Sequence, residues 1–252
     1  MSGHSKWSTI HRQKEVTDAK RGQAFTKLAN AIIVAVRAGG GVTDPNSNFK
    51  LRLAIEKARE FNMPKGNIQR AIERGSGSGE AGQWEEVVYE GYGPGGIAVI
   101  IEAATDNKQR TGQEIKNLIE RGGGNLAGPG SVAYQFERRG LLTLEKPQNV
   151  EEAILRIIDL GAEDVEEAPD AIEVYVKSET LEEYKKKLTD AGFKISGFEL
   201  TMKPKTSVPI SDPQTASHIL SFMEKLEEQQ DVQKVYANFD ISDNLLKEIQ
   251  GS

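Results

Sequence analysis

Ahead of Ser76 the apolar side chains recur at three- and four-residue steps, while beyond Gln83 β-branched runs alternate with helical ones. A three-to-four-residue period is buried by packing helix on helix, whereas strands alternating with helices ask for a sheet covered by helices. The stretch between the two regimes, SGSGEAGQ at 76–83, has the composition of a flexible linker. The expected fold is therefore α+β and multi-domain: an N-terminal three-helix domain, then two ferredoxin-like α/β domains, one inserted in the other.

The first helix is predicted from Asp18 to Arg37, with Phe25, Leu28, Ala29, Ile32, Ile33 and Val36 on one face and Lys20 and Lys27 on the other. Gly39, Gly40 and Gly41 end it. A second helix, Asn48 to Asn62, turns Leu51, Ala54, Ile55, Ala58 and Phe61 inward and leaves Arg52 and Arg59 on a shared outer edge. Pro64 opens a third, with Ile68, Ala71 and Ile72 inward and Arg70 and Arg74 in its later part. Past the linker come strands at Glu86 to Tyr92 and Gly96 to Ala103, a helix from Asn107 to Arg121, a glycine-rich loop to Gly130, and a strand at Ser131 to Glu137. From Gly140 one pattern occurs twice. Leu141 to Leu144, helix Val150 to Leu160 and strand Asp164 to Glu167 are followed by Ile172 to Val176, helix Thr180 to Ala191 and strand Lys194 to Thr201. A helix from Gln214 to Gln229 and a strand from Val232 to Phe239 are too little for a domain of their own, so they are expected to return to the sheet begun at Glu86. The boundaries that follow are 1–78 for the basic helical domain, 79–139 with 204–252 for the middle domain, and 140–203 for the inserted one.

Gly91, Gly93 and Gly96 spell the spacing of a dinucleotide fingerprint, G-x-G-x-x-G. That fingerprint needs a helix after its last glycine, and Ile97 to Ile101 is instead an apolar, β-branched run, so a hairpin is expected and a nicotinamide enzyme is disfavoured. His4, His11 and His218 lack any partner pattern for a metal, and the paired glutamates read as solvated surface or helix-start charge. The loop GGGNLAGPG has no following Lys-Ser/Thr to cradle phosphate. These features predict a non-enzyme with no cofactor, no metal and no small-molecule substrate. There is no cysteine, no run of about 18 apolar residues and no apolar signal core at the start, which predicts a cytoplasmic protein without a membrane partner. These features are compatible with a monomer and do not fix the oligomeric state.

The net charge of −6 hides a division. Residues 1–78 hold fourteen Lys/Arg against six Asp/Glu, while the remainder holds 18 against 32. The informative ones among them are Lys6, Arg12, Lys14, Lys20, Arg21 and Lys27 on the arm and first helix, continued by Arg52, Lys57, Arg59, Lys65, Arg70 and Arg74. That density suits phosphate contacts through counterion release, and Trp7 offers either a stacking face or an anchor for the arm. Lys57, Arg59 and Arg74 have Glu56, Glu60 and Glu73 close by and also fit an ordinary solvated face.

GHSKW at 3–7, DAKRGQAFTKL at 18–28, NMPKGNIQRAIERG at 62–75, YEGYGPGG at 89–96, TDNKQRT at 105–111 and DVQKVYANFDI at 231–241 together resemble the YebC family over nearly the whole chain. The resemblance implies the same architecture and a cytoplasmic, DNA-binding transcriptional regulator. The family also includes the mitochondrial translational activator of cytochrome c oxidase subunit I, which implies instead a translation factor bound to ribosomal RNA, acting at proline-rich stretches. The hairpin residues Tyr92, Gly93, Pro94 and Gly95, and the helix start at Asn107, Lys108, Arg110 and Thr111, are candidates for partner contact or for a purely structural role.

Overall fold

The structure, a computed structural model, describes residues 18–77 and 84–250. Lys6, Trp7, Arg12 and Lys14 lie outside the described residues, and for Lys20 and Arg21 the backbone alone is described. Contacts divide the chain into two compact units: Glu15–Val132 with Ser217–Val235, and Ala133–Ala216 with the chain from Tyr236 onward.

The first unit begins with α1 (Asp18–Ala38), α2 (Phe49–Glu60) and α3 (Lys65–Gly75). The expected stripes meet: Leu28, Ile32, Ile33, Val36, Leu51, Ile55, Ala58, Ile68 and Ala71 form one buried cluster, with Phe25 and Trp84 packed against it. Asn48 fixes the α1–α2 corner. Its Oδ1 accepts from the Leu51 amide at 3.1 Å as the N-cap of α2, while its Nδ2 donates to the carbonyls of Ala35 at 2.9 Å and Val42 at 3.1 Å. A Cβ at Gly39 would lie 2.3 Å from the Asn48 amide, so this corner requires glycine. Phe61, read as inward, is 42% exposed, because α2 stops at Glu60 and Asn62 turns the chain with φ 57.

Next come β1 (Glu85–Tyr92) and β2 (Ala98–Thr105), an antiparallel pair, followed by α4 (Lys108–Arg121) and β3 (Asn125–Ala127), which pairs antiparallel with Glu90–Tyr92 of β1. Of the strand expected at Ser131 to Glu137, only Phe136 and Glu137 are in a strand. The buried Glu90 carboxylate takes the amides of Gly130 at 2.7 Å and Val132 at 2.8 Å, donors that a ladder would need, and pairing resumes only at Phe136.

In the second unit β4 (Phe136–Glu145), α5 (Val150–Asp159), β5 (Asp164–Glu167), β6 (Ala171–Lys177), α6 (Leu181–Asp190) and β7 (Ile195–Pro204) form a sheet of order β5-β6-β4-β7, antiparallel throughout. This is the expected ferredoxin-like β-α-β-β-α-β arrangement, with Leu142, Leu144, Ile157, Ile172, Val174, Leu181 and Leu188 buried. The connection read as Pro204 to Pro213 contains a short strand, β8 (Val208–Ile210).

Then α7 (Pro213–Glu228) leads to β9 (Val232–Ala237), which returns to the first sheet as expected and completes the order β3-β1-β2-β9. The single strand expected over 232–239 is broken at Asn238, whose carbonyl accepts from the Val208 amide at 2.7 Å. This aligns β10 (Phe239–Ile241) parallel to β8. A terminal helix, α8 (Asp243–Gln250), was not foreseen.

Candidate nucleic-acid interface

The three-helix region presents its cations most openly along α3. Pro64 precedes that helix without a side-chain cap, and no acid stands in its first turn. Lys65, Arg70 and Arg74 are exposed, and Arg70 and Arg74, four apart, share one side of the helix. Arg70 donates to the side-chain oxygen of Asn67, and Glu73 is occupied by the Gln69 amide at 3.0 Å. Arg59 is exposed at the end of α2, and Arg59, Lys65, Arg70 and Arg74 form no ion pair with a described residue. Arg52 departs from the shared outer edge expected for it: it is half-buried, with its guanidinium 5.4 Å from the centre of the Phe49 ring. Lys57 is also half-buried.

Lys27 is the clearest correction. The helical pattern places it opposite the buried stripe, yet it lies against a second surface, the end of α7 and the turn into β9. Its ammonium donates to the carbonyl of Glu227, and to that of Val232 at 2.7 Å. Burial pushes its pKa down to about 8, against the opposing pull of Glu227, Asp231 and Glu228. Periodicity found one face of α1, but this helix also touches β1 and β2, so more of its circumference is covered than a single stripe reveals.

The fingerprint glycines have packing reasons. After Gly96 the chain enters β2, so no helix N-terminus is available for a pyrophosphate. A Cβ at Gly93 would come within 2.7 Å of Phe222, and one at Gly91 within 2.8 Å of the Asn125 carbonyl. Gly95 and Gly96 turn the tip with φ 73 and 75. Gly93 and Pro94 are buried and present nothing to a partner, whereas Tyr92 and Gly95 are exposed. The Tyr92 hydroxyl donates to the Ser131 carbonyl at 3.2 Å.

At the start of α4, Asn107 is the N-cap, its side chain accepting from the Arg110 amide at 3.1 Å. Arg110 pairs with Asp231 at 2.9 Å and Asp106 at 3.1 Å, and the hydrogen bond to Asp231 raises its already high pKa. Thr111 is fully buried, its hydroxyl donating to Asp231 at 2.6 Å and lying 2.8 Å from that of Thr105. This end of α4 is thus closed by the chain's own groups, with Lys108 left exposed. Asp231 and Glu90 are the organising carboxylates that sequence reasoning missed. Glu90 had a signal, an acid inside an apolar strand. Asp231 had none, standing in a polar turn 121 residues from Arg110.

Among the described residues no group of three or more His, Cys, Asp or Glu could hold a metal ion, and no helix is long and apolar enough to cross a membrane. An open cleft of about 270 Å³ in the second unit includes Glu163, Lys177, Glu183, Tyr184 and Lys187. There Glu183 pairs with Lys187 at 2.8 Å and Tyr184 donates to the Ile157 carbonyl at 2.6 Å, so these groups hold structure in place.

Residues 5–78 match the model of the TACO1/YebC protein N-terminal domain, and residues 84–239 that of the TACO1/YebC second and third domain. The chain is 46% identical to a "probable transcriptional regulatory protein" of Dictyoglomus turgidum, over 99% of this chain and 100% of that one. It is 46% identical to one of the same name from Thermotoga maritima, over 99% and 98%. The crystal structure of a conserved hypothetical protein from Aquifex aeolicus superimposes with a TM-score of 0.82 at 44% identity, covering 90% of this chain and 93% of that one.

Proposed function

The chain belongs to the TACO1/YebC family, and on that premise we propose that it is a non-enzymatic regulator of gene expression in the cytoplasm, binding DNA through its basic helical region. The observation that carries this reading is the set Arg59, Lys65, Arg70 and Arg74, exposed and without a carboxylate partner among the described residues, in a chain of net charge −6. Cations without a described carboxylate partner on an acidic protein keep their field for an outside polyanion, and the acidic remainder resists coating by nonspecific contacts. Lys20 and Arg21 extend the proposed surface by sequence, as do Lys6, Arg12 and Lys14 with Trp7 as their aromatic neighbour; Lys27 is left out of it because its ammonium is engaged inward.

One observation favours a second reading, a translation factor on ribosomal RNA. Asn67 and Gln69, the amide side chains on α3 suited to reading adenine, are engaged by Arg70 and Glu73. A surface of cations without a described carboxylate partner, beside occupied amides, suits recognition of phosphate and shape, the mode by which folded RNA is held.

Sedimentation of purified protein with ribosomes at near-physiological salt, challenged by excess mixed-sequence duplex DNA, separates the two. Transfer to the DNA supports the transcriptional reading. Retention on the ribosome, lost in a Lys65→Glu/Arg70→Glu/Arg74→Glu variant, supports the translational one. If neither polymer is bound, or if both are bound equally by wild type and variant, the basic-surface proposal fails.

A further inference from the structure

Most helix and turn glycines of the described chain are enforced from within. Some hold a positive φ, as Gly95 does at 73, and others stand where a Cβ would collide, as at Gly122, 2.3 Å from Phe222. Gly22 in α1 and Gly66 in α3 meet neither condition. Both are helical and exposed, neither has a positive φ, and an added Cβ would meet no atom of the described residues within 4 Å. Glycine inside a helix costs stability relative to alanine because it gives up more backbone entropy. The fold gains nothing visible from either residue.

Their surroundings share a chemistry. Each follows a cation, Arg21 or Lys65, and each lies in the helical region that carries the proposed binding surface. Gly66 heads a line on α3 that continues with Arg70 and Arg74 at four-residue steps, so the bare backbone and two guanidinium groups lie along one side of the helix. A direct hydrogen bond to phosphate needs its donor and acceptor within about 3.2 Å, and a methyl group placed between helix and ligand is wide enough to lengthen and so weaken the contacts of a flanking cation.

We propose that Gly22 and Gly66 are contact points at which the sugar–phosphate backbone of a bound nucleic acid lies directly against the helix, with Lys65, Arg70 and Arg74 holding phosphates beside Gly66. The inference rests on the nucleic-acid reading above and adds to it where the polymer comes closest. It assigns these glycines to the partner, since packing among the described residues does not require them.

The test is Gly22→Ala and Gly66→Ala, each measured for thermal midpoint and for affinity to ribosomes and to mixed-sequence duplex DNA. Alanine fits a helical backbone, so the midpoint is expected to rise by about 2 °C. Affinity for the polymer that wild type binds is expected to fall at least about 10-fold, with an unchanged salt slope because no charge is removed. A higher midpoint with unchanged affinity overturns the proposal, as does a lower midpoint, which would give the glycines a structural role. Should wild type bind neither polymer, the functional reading fails before the glycines are tested. If wild type binds, the charge-reversed α3 variant does not, and Gly66→Ala binds as wild type does, the glycine inference alone is lost.

Discussion

The start of α4 and the outer side of α3 look alike as strings of letters, NKQRT and PKGNIQRAIER, each with cations near a helix N-terminus. In the structure they have opposite fates. Arg110 is consumed by Asp231 and Asp106, and Thr111 is buried against the same Asp231, whereas Lys65, Arg70 and Arg74 remain exposed with no described carboxylate partner. The difference teaches that the density of cations is a poor guide to a binding surface. What decides is whether the fold supplies an acid, and that acid can stand more than a hundred residues away.

The comparison breaks most visibly at Asp231. Asp231→Ala removes the buried acceptor of Arg110 and of the Thr111 hydroxyl and is expected to cost about 2–3 kcal/mol in urea unfolding. A loss below about 1 kcal/mol would mean that the α4 cation is as free as those on α3. The converse change, Lys65→Glu/Arg70→Glu/Arg74→Glu, is expected to weaken nucleic-acid binding at least about 100-fold and to flatten the salt slope by about 3, while stability moves by no more than about 1 kcal/mol. Equal damage to stability would place these cations in the same class as Arg110.

Lys27 sharpens the contrast through pH. Its amine titrates near 8 in the fold against the ordinary 10.5, so burial disfavours the charged form. The fold therefore gains stability from this group as pH rises from about 8 toward 10.5, and that gain is lost as pH falls back through 8. Wild type measured against Lys27→Met should improve by about 1–2 kcal/mol across that window and run parallel to it below pH 8. A flat difference at alkaline pH would return Lys27 to the solvent. Smallest is Glu90→Gln, expected to cost about 1 kcal/mol and to speed hydrogen exchange at the Gly130 and Val132 amides, leaving nucleic-acid affinity unchanged.

The helical region, the first hairpin and the ferredoxin-like repeat were legible because their signals are local: a stripe of Leu, Ile and Ala at helical spacing, or alternation bounded by glycine. The return of β9 to the first sheet followed from the inability of a lone helix and strand to bury themselves. What stayed hidden lacked either length or locality. β3 and β8 are three residues each, and α8 is eight. The strand wrongly placed at 131–137 was undone by Glu90, and the inward turn of Lys27 by backbone carbonyls two hundred residues downstream. The candidate surface itself was half legible. Sequence named its cations, and the three-dimensional arrangement sorted those that face outward from those already spoken for.

The placement of β9 carries a consequence for how the protein is made. A ribosome synthesises β1 and β2 early, but their neighbour β9 is encoded beyond the whole of β4–β8, at Val232–Ala237. The first sheet therefore waits with an open edge until Val232–Ala237 emerge, while the ferredoxin-like repeat can close without that delay. A transcript cut short after residue 216 would carry the complete sheet β5-β6-β4-β7 and a first sheet still lacking β9, the kind of product that proteases and holding chaperones recognise.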